Sequence, residues 1–451
     1  MSWQTFNLGD LVDVYDGPHA TPKTTDRGPI FLGIDALDKG RLNLESARHV
    51  SEADYVAWTR RITPTAGDVV FSYETRLGEA ALIPDGLVCC LGRRMGLMRA
   101  KAGRVDPHFL LYRYLAPDYQ AFLATRTIHG ATVDRLPLKQ FPSFPISVPP
   151  IEEQRALAKP LRLLDDKIEL NRRMNETLEA TAQAIFRDWF VDFGPVRRKL
   201  AGATDPVEIM GGVSADPARA AELAGLFPSG LDNNELPDGF EFVTLGDAVA
   251  VLETGTRPKG GIKGIDAGVP SIGAESILGL AKFDFSKTKY VPLEFFASMR
   301  RGIIGERDVL LYKDGGRPGE FEPHVAMFGG GFPFSQSCIN EHVYRVVAAD
   351  PFSQEFLYLH LTSEGSMEEM RNKGTGVAIP GLNSTAAKSL SILDPGAKLL
   401  AAFTSIVRPL VDAALHSASE SRTLAETREY LLPRLMSGEV RVHAVPQEIA
   451  A

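Results

Sequence analysis

The residues that could do covalent chemistry are few, and their spacing argues against it. No Gly-Lys dipeptide occurs anywhere in the chain, so a phosphate-binding loop of the Gly-x-x-x-x-Gly-Lys-Ser/Thr type has no place to form. His-Glu-x-x-His and Gly-x-Ser-x-Gly are equally absent, and the Gly329/Gly331 and Gly374/Gly376 pairs lack a third glycine in place. Glu152-Glu153 and Asp165-Asp166 are paired carboxylates only in sequence. Neighbours on a helix diverge by about 100 degrees, so neither pair predicts a shared acid/base site. Of the nine histidines, His19, His49 and His416 read as surface or satisfied polar groups. Cys89, Cys90 and Cys338 are the only cysteines, too few for a disulfide framework or a zinc site, and read as small buried hydrophobes. The expectation is a chain with no catalytic residue, metal or cofactor of its own.

The elements that carry these residues can be read more fully. A length of 451 residues allows two to four domains at roughly 100 to 200 residues each, and 44% apolar, 24% charged and 8% aromatic residues describe an ordinary folded chain. No run approaches eighteen uninterrupted apolar residues, and MSWQTFNLGD lacks the basic patch and apolar stretch of a signal peptide, which predicts a cytoplasmic chain that meets no membrane. The net charge of −8 is uneven: residues 1–200 hold 27 Lys and Arg against 25 Asp and Glu, leaving 22 against 32 for the rest. Such a balance argues mildly against autonomous nucleic-acid binding, although local basic faces remain open to it.

The sequence repeats itself. Phe6-Asn7-Leu8-Gly9-Asp10 matches Val243-Thr244-Leu245-Gly246-Asp247 at an offset of 237, and Gly67-Asp68-Val69-Val70 matches Arg307-Asp308-Val309-Leu310 at 240. His129 to Val133 then meets Lys373 to Val377 at 244, and Ser147-Val148-Pro149 meets Leu393-Asp394-Pro395 at 246. Four matches in one order with slowly drifting offsets predict a tandem duplication. Each half opens with a mixed region, residues 1–148 and 240–394, with short strands predicted at 68–73, 80–83, 309–312 and 342–347 and helices at 107–115 and 353–361. A proline boundary then leads into a long helix, residues 149–193 and 395–440. Residues 194–239 read as a Gly-, Pro- and Ala-rich strap, and 441–451 as a tail. The fold class is α+β.

The long helices carry heptads. Leu157, Leu164, Asn171, Leu178 and Ile185 fall at a, with Leu161, Ile168, Asn175, Ala182 and Trp189 at d. Adding 246 gives Phe403, Leu410, Ser417, Leu424 and Leu431 at a, with Val407, Ala414, Ser421, Arg428 and Leu435 at d. Two apolar ends around a polar middle fit an antiparallel coiled coil in which Asn171 and Asn175 face Ser421 and Ser417. One amphipathic helix lying on its own domain is the other reading the heptads allow. Pro160 and Pro409 are expected to trim or kink the first turns.

Long motifs give these helices a family resemblance. Pro149-Pro150-Ile151-Glu152-Glu153-Gln154-Arg155, residues 164–175 (LDDKIELNRRMN) and residues 186–193 (FRDWFVDF) resemble the first conserved region of the specificity (S) subunits of Type I restriction-modification systems. Residues 430–440 (YLLPRLMSGEV) resemble the second. The resemblance implies that each mixed region is a target recognition domain and that the two helices pair as an antiparallel coiled coil. It also implies a non-catalytic subunit reading a bipartite double-stranded DNA target. Methyltransferase (M) subunits, two of them, would bring S-adenosylmethionine chemistry, and restriction (R) subunits would bring ATP and Mg. A methyltransferase-fused subunit of a related restriction system, or a coiled-coil adaptor for proteins alone, are the competing classes. Affinity of the chain for S-adenosylmethionine would mark the former; lack of selective DNA binding with partners present would mark the latter.

Within the recognition domains, loops after matched strands pair Gly/Pro turns with basic and hydroxyl donors suited to phosphates and base edges. They offer Thr21 and Lys23 in one half and Thr256, Arg257 and Lys259 in the other. Tyr73 and Arg76 correspond to Lys313 and Arg317, and His129 and Thr132 to Lys373 and Thr375.

Overall fold

Asn7 and Thr244 end their strands in the same way. The Asn7 amide donates to Asp10 Oδ2 at 3.2 Å, and the Thr244 amide donates to Asp247 Oδ2 at 3.2 Å, so each Leu-Gly-Asp repeat folds as one helical turn capped by its own aspartate. The computed structural model describes residues 3–440 apart from 19, 45–46, 131–132, 316–318, 375 and 377–379. Contacts divide the chain into Met1–Lys167 with Leu424–Ala451, and Ile168–Thr423. Each unit holds one mixed region with parts of both long helices.

The duplication extends to topology. In the first unit Gln4–Asn7 pairs antiparallel with Pro145–Val148, and a four-stranded antiparallel sheet runs in the order Val12–Asp16, Met95–Ala100, Val69–Ser72, Ala80–Leu82. A second sheet sets Thr25–Leu32 between Arg48–His49 and, in parallel, Cys89–Leu91. The second unit repeats all of this. Glu241–Thr244 pairs with Ser391–Asp394, the four-stranded order is Val249–Thr254, Val343–Ala348, Val309–Tyr312, Val325–Met327, and Val269–Ile272 lies between Lys289–Val291 and Cys338–Ile339. The central strands Val69–Ser72 and Val309–Tyr312 are buried on both faces, which is why they read as continuous apolar runs rather than alternating ones.

The matched helices of the two mixed regions start from side-chain caps. Asp106 accepts from the Phe109 amide at 3.0 Å before Pro107–Leu115, and Ser353 accepts from the Phe356 amide at 3.2 Å before Gln354–Leu361. Each sends a tyrosine to a carboxylate of the first long helix: Tyr112 donates to Asp165 at 2.8 Å, and Tyr358 donates to Glu179 at 2.7 Å. The two tyrosines are 246 residues apart, the repeat offset itself. Burial beside these carboxylates pushes both phenols up.

The long helices are Ile151–Phe190 and Ala397–Met436, each running unbroken through its proline, Pro160 or Pro409. Neither proline trims its helix as expected: each forfeits only its own amide's bond to the carbonyl four residues back, and the turns on both sides remain helical. In the first unit Leu157 and Leu161 share a core with Leu435, and Asp165 Oδ1 meets Arg428 Nη1 at 3.0 Å. In the second, Phe186, Trp189 and Phe190 surround Phe403 with ring centroids 5.0 to 6.0 Å apart, while Ile168, Val407 and Ala414 are buried. Within each unit, higher positions of one helix meet lower positions of the other. The polar middle differs in detail from the expected facing of Asn171 with Ser421. Asn171 Nδ2 donates instead to Glu420 Oε2 at 2.7 Å and to the Ser417 carbonyl at 3.4 Å, because a carboxylate one residue away reaches the buried amide better than a hydroxyl.

One further expectation changes. The connector carries three short helices, Gly194–Leu200, Pro206–Ile209 and Pro217–Ala224, and its Val196, Ile209, Met210, Leu223 and Phe227 enter the core around Trp189 and Phe240. It is a packed part of the second unit rather than a strap. The helix Ala397–Met436 is long and apolar enough, by length and hydropathy alone, to cross a membrane. Its Leu399, Leu400, Phe403, Val407 and Val411 are buried in the second unit's core.

The three cysteines are buried, and burial pushes Cys89 up to about 12 and Cys90 and Cys338 up to about 11, so all three stay neutral thiols. Buried His360 accepts from the Leu393 amide through Nε2 at 3.1 Å and lies 3.0 Å from Ser366 Oγ through Nδ1. Desolvation holds its pKa down at about 4. A depressed histidine contributes stability that is present above its unfolded value of about 6.5 and is lost as pH falls through about 4, some 3 kcal/mol in all. Thermal melts of the chain between pH 7 and pH 4 should show this slope, and His360→Gln should flatten it; a wild-type melt independent of pH would contradict the assignment.

Candidate nucleic-acid interface

The loop that leaves the first strand of each four-stranded sheet is forced into its course by a glycine. The Gly17 amide donates to the Met95 carbonyl at 2.8 Å, and a Cβ on Gly17 would lie 2.5 Å from the Gly92 carbonyl oxygen. The Gly255 amide donates to the Asn340 carbonyl at 3.1 Å, and a Cβ there would lie 1.7 Å from the Ile339 carbonyl oxygen. Only glycine admits so close an approach. These contacts bring each loop beside the turn that enters the central strand, Met95–Ala100 or Val343–Ala348.

In the second unit three segments meet there. Arg257 Nε lies 2.8 Å from Glu341 Oε1, and Lys313 Nζ lies 2.9 Å from Asp314 Oδ2 and donates to the Glu341 carbonyl at 3.2 Å. His342 stands between the two acids, with Nδ1 bonded to Asp314 and Nε2 3.5 Å from Glu341 Oε1. The His342 and Lys313 partners hold the Asp314 carboxyl below its usual range, against the desolvation that opposes them. Asp314 also bridges to Gly381, three residues before the helix Ser384–Lys388.

The first unit builds the same arrangement from other residues. Glu74 occupies the place of Asp314, two residues past the strand, and Arg94 that of His342, one residue before the central strand. Arg94 Nε lies 3.2 Å from Glu74 Oε2, and its Nη1 donates to Thr75 Oγ1 at 3.3 Å. Glu74 bridges to Arg135, as Asp314 does to Gly381, again 246 residues apart. Thr75 at φ 68° and Arg94 at φ 72° hold left-handed backbones that cost a side-chain-bearing residue on the order of 1 to 2 kcal/mol each. Such strain concentrates where a loop has to present its side chains in one way.

The residues singled out from sequence fall into three groups. Thr21, Lys23, Arg257 and Lys259 are exposed on the glycine-anchored loops, with Thr256 half-buried among them. Lys313 lies in the charged cluster, and His129 is exposed with its Nδ1 3.1 Å from Asp134. Others are engaged by the fold. Tyr73 is buried in the first unit's core, Arg76 donates back to the Ile34 carbonyl at 3.2 Å, and Lys373 pairs with Glu369 on its own helix and donates to Ser389, which ends the neighbouring helix Ser384–Lys388. Tyr73 points inward because it continues the fully buried strand Val69–Ser72; Lys373 is held because an acid lies one turn back and a free helix-end carbonyl lies within its reach. Thr132, Arg317 and Thr375 lie outside the described residues. Sequence reading missed Arg94, Glu341 and His342. The repeat offsets would not have found them: between the matches at 240 and 244 the drift places Arg93-Arg94 on residues 333–338, whereas the strands that Arg94 and His342 precede, Met95–Ala100 and Val343–Ala348, align only at 248.

Comparison with known proteins agrees with this duplicated plan. The family described as Type I restriction modification DNA specificity domain matches residues 1–180. The HindI specificity subunit of Haemophilus influenzae is 25% identical over 423 residues, covering 83% of this chain and 86% of that one. The MjaIX specificity subunit of Methanocaldococcus jannaschii is 22% identical, covering 98% and 94%. Among solved structures, the S subunit of a Type I system from M. genitalium superposes with a TM-score of 0.51 at 14% identity, covering 96% of both chains, a likeness of fold. One topology built twice, each copy followed by a long helix with motifs like those of that group, makes the chain similar over nearly its whole length to the specificity subunits of Type I restriction-modification systems.

Proposed function

We propose that this chain is a specificity subunit that reads a bipartite double-stranded DNA target, one half-site per recognition domain, and carries the methyltransferase and restriction subunits of a Type I complex in the cytoplasm. One observation carries the reading: a strained or glycine-forced loop and an acid–base pair stand at the same place in both sheets, Glu74 with Arg94 and Asp314 with His342. Two copies of one face suit a target in two parts. The subunit itself recognises and does not catalyse; S-adenosylmethionine, ATP and Mg belong to the partner chains. The two long helices form an antiparallel coiled coil, and their repeat offers two like surfaces, which suits two methyltransferase subunits. The exposed candidates Thr21, Lys23, Thr256, Arg257 and Lys259 supply contacts to phosphates and base edges, joined by Lys313 and His129.

Methylation mapping in a host expressing the chain with its partners tests this. Arg257→Ala is expected to relax selection in one half-site and leave the other intact, since a lost bidentate base contact costs about 1 to 3 kcal/mol. Weakening by the same factor on every sequence would reassign Arg257 to a phosphate. A target with a single undivided recognition sequence would overturn the two-face reading.

A further inference from the structure

The second half of the chain carries 22 Lys and Arg against 32 Asp and Glu, yet it holds one of the two faces assigned to DNA. Arg257 and Lys313 on that face are already engaged. Arg257 Nε lies 2.8 Å from Glu341 Oε1, Lys313 Nζ lies 2.9 Å from Asp314 Oδ2, and His342 touches both acids. The pairs sit at the surface, with Arg257 62% exposed and Glu341 28%. Exposed ion pairs of this kind are weak, about 0 to 1 kcal/mol each, so a ligand able to take over the cation displaces the acid at little cost.

Resting on the reading that this face contacts DNA, we propose that Glu341 and Asp314 are specificity-determining residues that hold Arg257 and Lys313 against indiscriminate phosphate contact. A phosphate approaching either cation also approaches its carboxylate, and like charges brought together across an interface are costly. A base edge is neutral. The O6 and N7 acceptors of guanine satisfy an arginine without that repulsion, and a carboxylate released beside them accepts from a cytosine amino group. The acids therefore subtract affinity from every sequence and return part of it only to the right one, which is how an interface discriminates by penalising the wrong partner. The equivalent place in the first domain follows the same logic through Glu74, paired there with Arg94.

The test uses the chain assembled with its methyltransferase subunits and two DNA duplexes, the mapped target and one with the second half-site scrambled. Glu341→Gln and Asp314→Asn keep shape and remove charge. Each is expected to raise affinity for the scrambled duplex by about 10-fold and for the target by less, and to steepen the salt dependence by about one released counterion per freed cation. Selection at the first half-site stays unchanged, and Glu74→Gln gives the mirror result there. If both variants bind the two duplexes as the wild type does, or lose affinity for both alike, while Arg257→Ala still relaxes the second half-site, the proposal is overturned and the face remains a DNA contact. If Arg257→Ala also leaves that half-site intact, the face itself is misassigned and the proposal falls with it.

Discussion

One heptad inserted into each long helix, after Leu178 and between Ala413 and Ala414, is expected to lengthen the spacer between the two half-sites by two to three base pairs. The insertion points face each other by interpolation between the Asn171–Glu420 and Trp189–Phe403 contacts. Seven residues keep the a and d positions in phase and add about 10 Å to the pair at roughly 1.5 Å per residue. At about 3.4 Å per base pair that is close to three positions. The longer spacer also turns the second half-site by about a third of a turn around the DNA, given roughly 10 base pairs per turn, so activity should fall as the spacing shifts. Methylation mapping reads both. An active variant that modifies only the original spacing would defeat the view that the helix pair sets target geometry.

Asp165→Ala is expected to cost the chain about 3 kcal/mol. Asp165 accepts from Tyr112 at 2.8 Å, Arg41 at 2.8 Å and Arg428 at 3.0 Å, so one carboxylate joins the recognition domain to both long helices within that unit. Its side chain is 18% exposed and that of Arg428 only 12%. Removing it leaves a buried hydroxyl and two partly desolvated guanidinium groups without their acceptor, the circumstance in which a lost partner is costly. At roughly 2 to 4 °C per kcal/mol the melting transition should drop by about 6 to 12 °C. Asp165→Asn, which still accepts from Tyr112, should lose about half as much. Calorimetry of the full chain decides it; an alanine variant melting within 2 °C of the wild type would show that the hub contributes nothing.

Much of this protein was legible in its residues because the relevant physics is local. The tandem repeat, the buried runs at 69–72 and 309–312, the capped helices Pro107–Leu115 and Gln354–Leu361, and the apolar ends of both long helices follow from propensity, capping and periodicity over a few turns. The motifs of residues 149–193 and 430–440 carried the family resemblance.

What depended on distant contacts was not legible. Residues 194–239 look like a linker because Gly, Pro and Ala dominate, and only the core around Trp189 makes Val196, Met210 and Phe227 buried residues. Tyr73 and Lys373 carry the right chemistry for DNA, but one continues a buried strand and the other caps a helix, outcomes set by which neighbours the fold supplies. Arg94 with Glu74, and His342 with Asp314, are 20 and 28 residues apart and meet because antiparallel pairing of the central strands brings one strand's end to the next one's beginning. Sequence by itself determined the duplication, the helices and the family resemblance, since each of these is a periodic or contiguous pattern. Which cations face outward, which are held by acids and which are consumed in packing was decided by tertiary structure, because a charge's partner is the nearest opposite charge in space rather than along the chain.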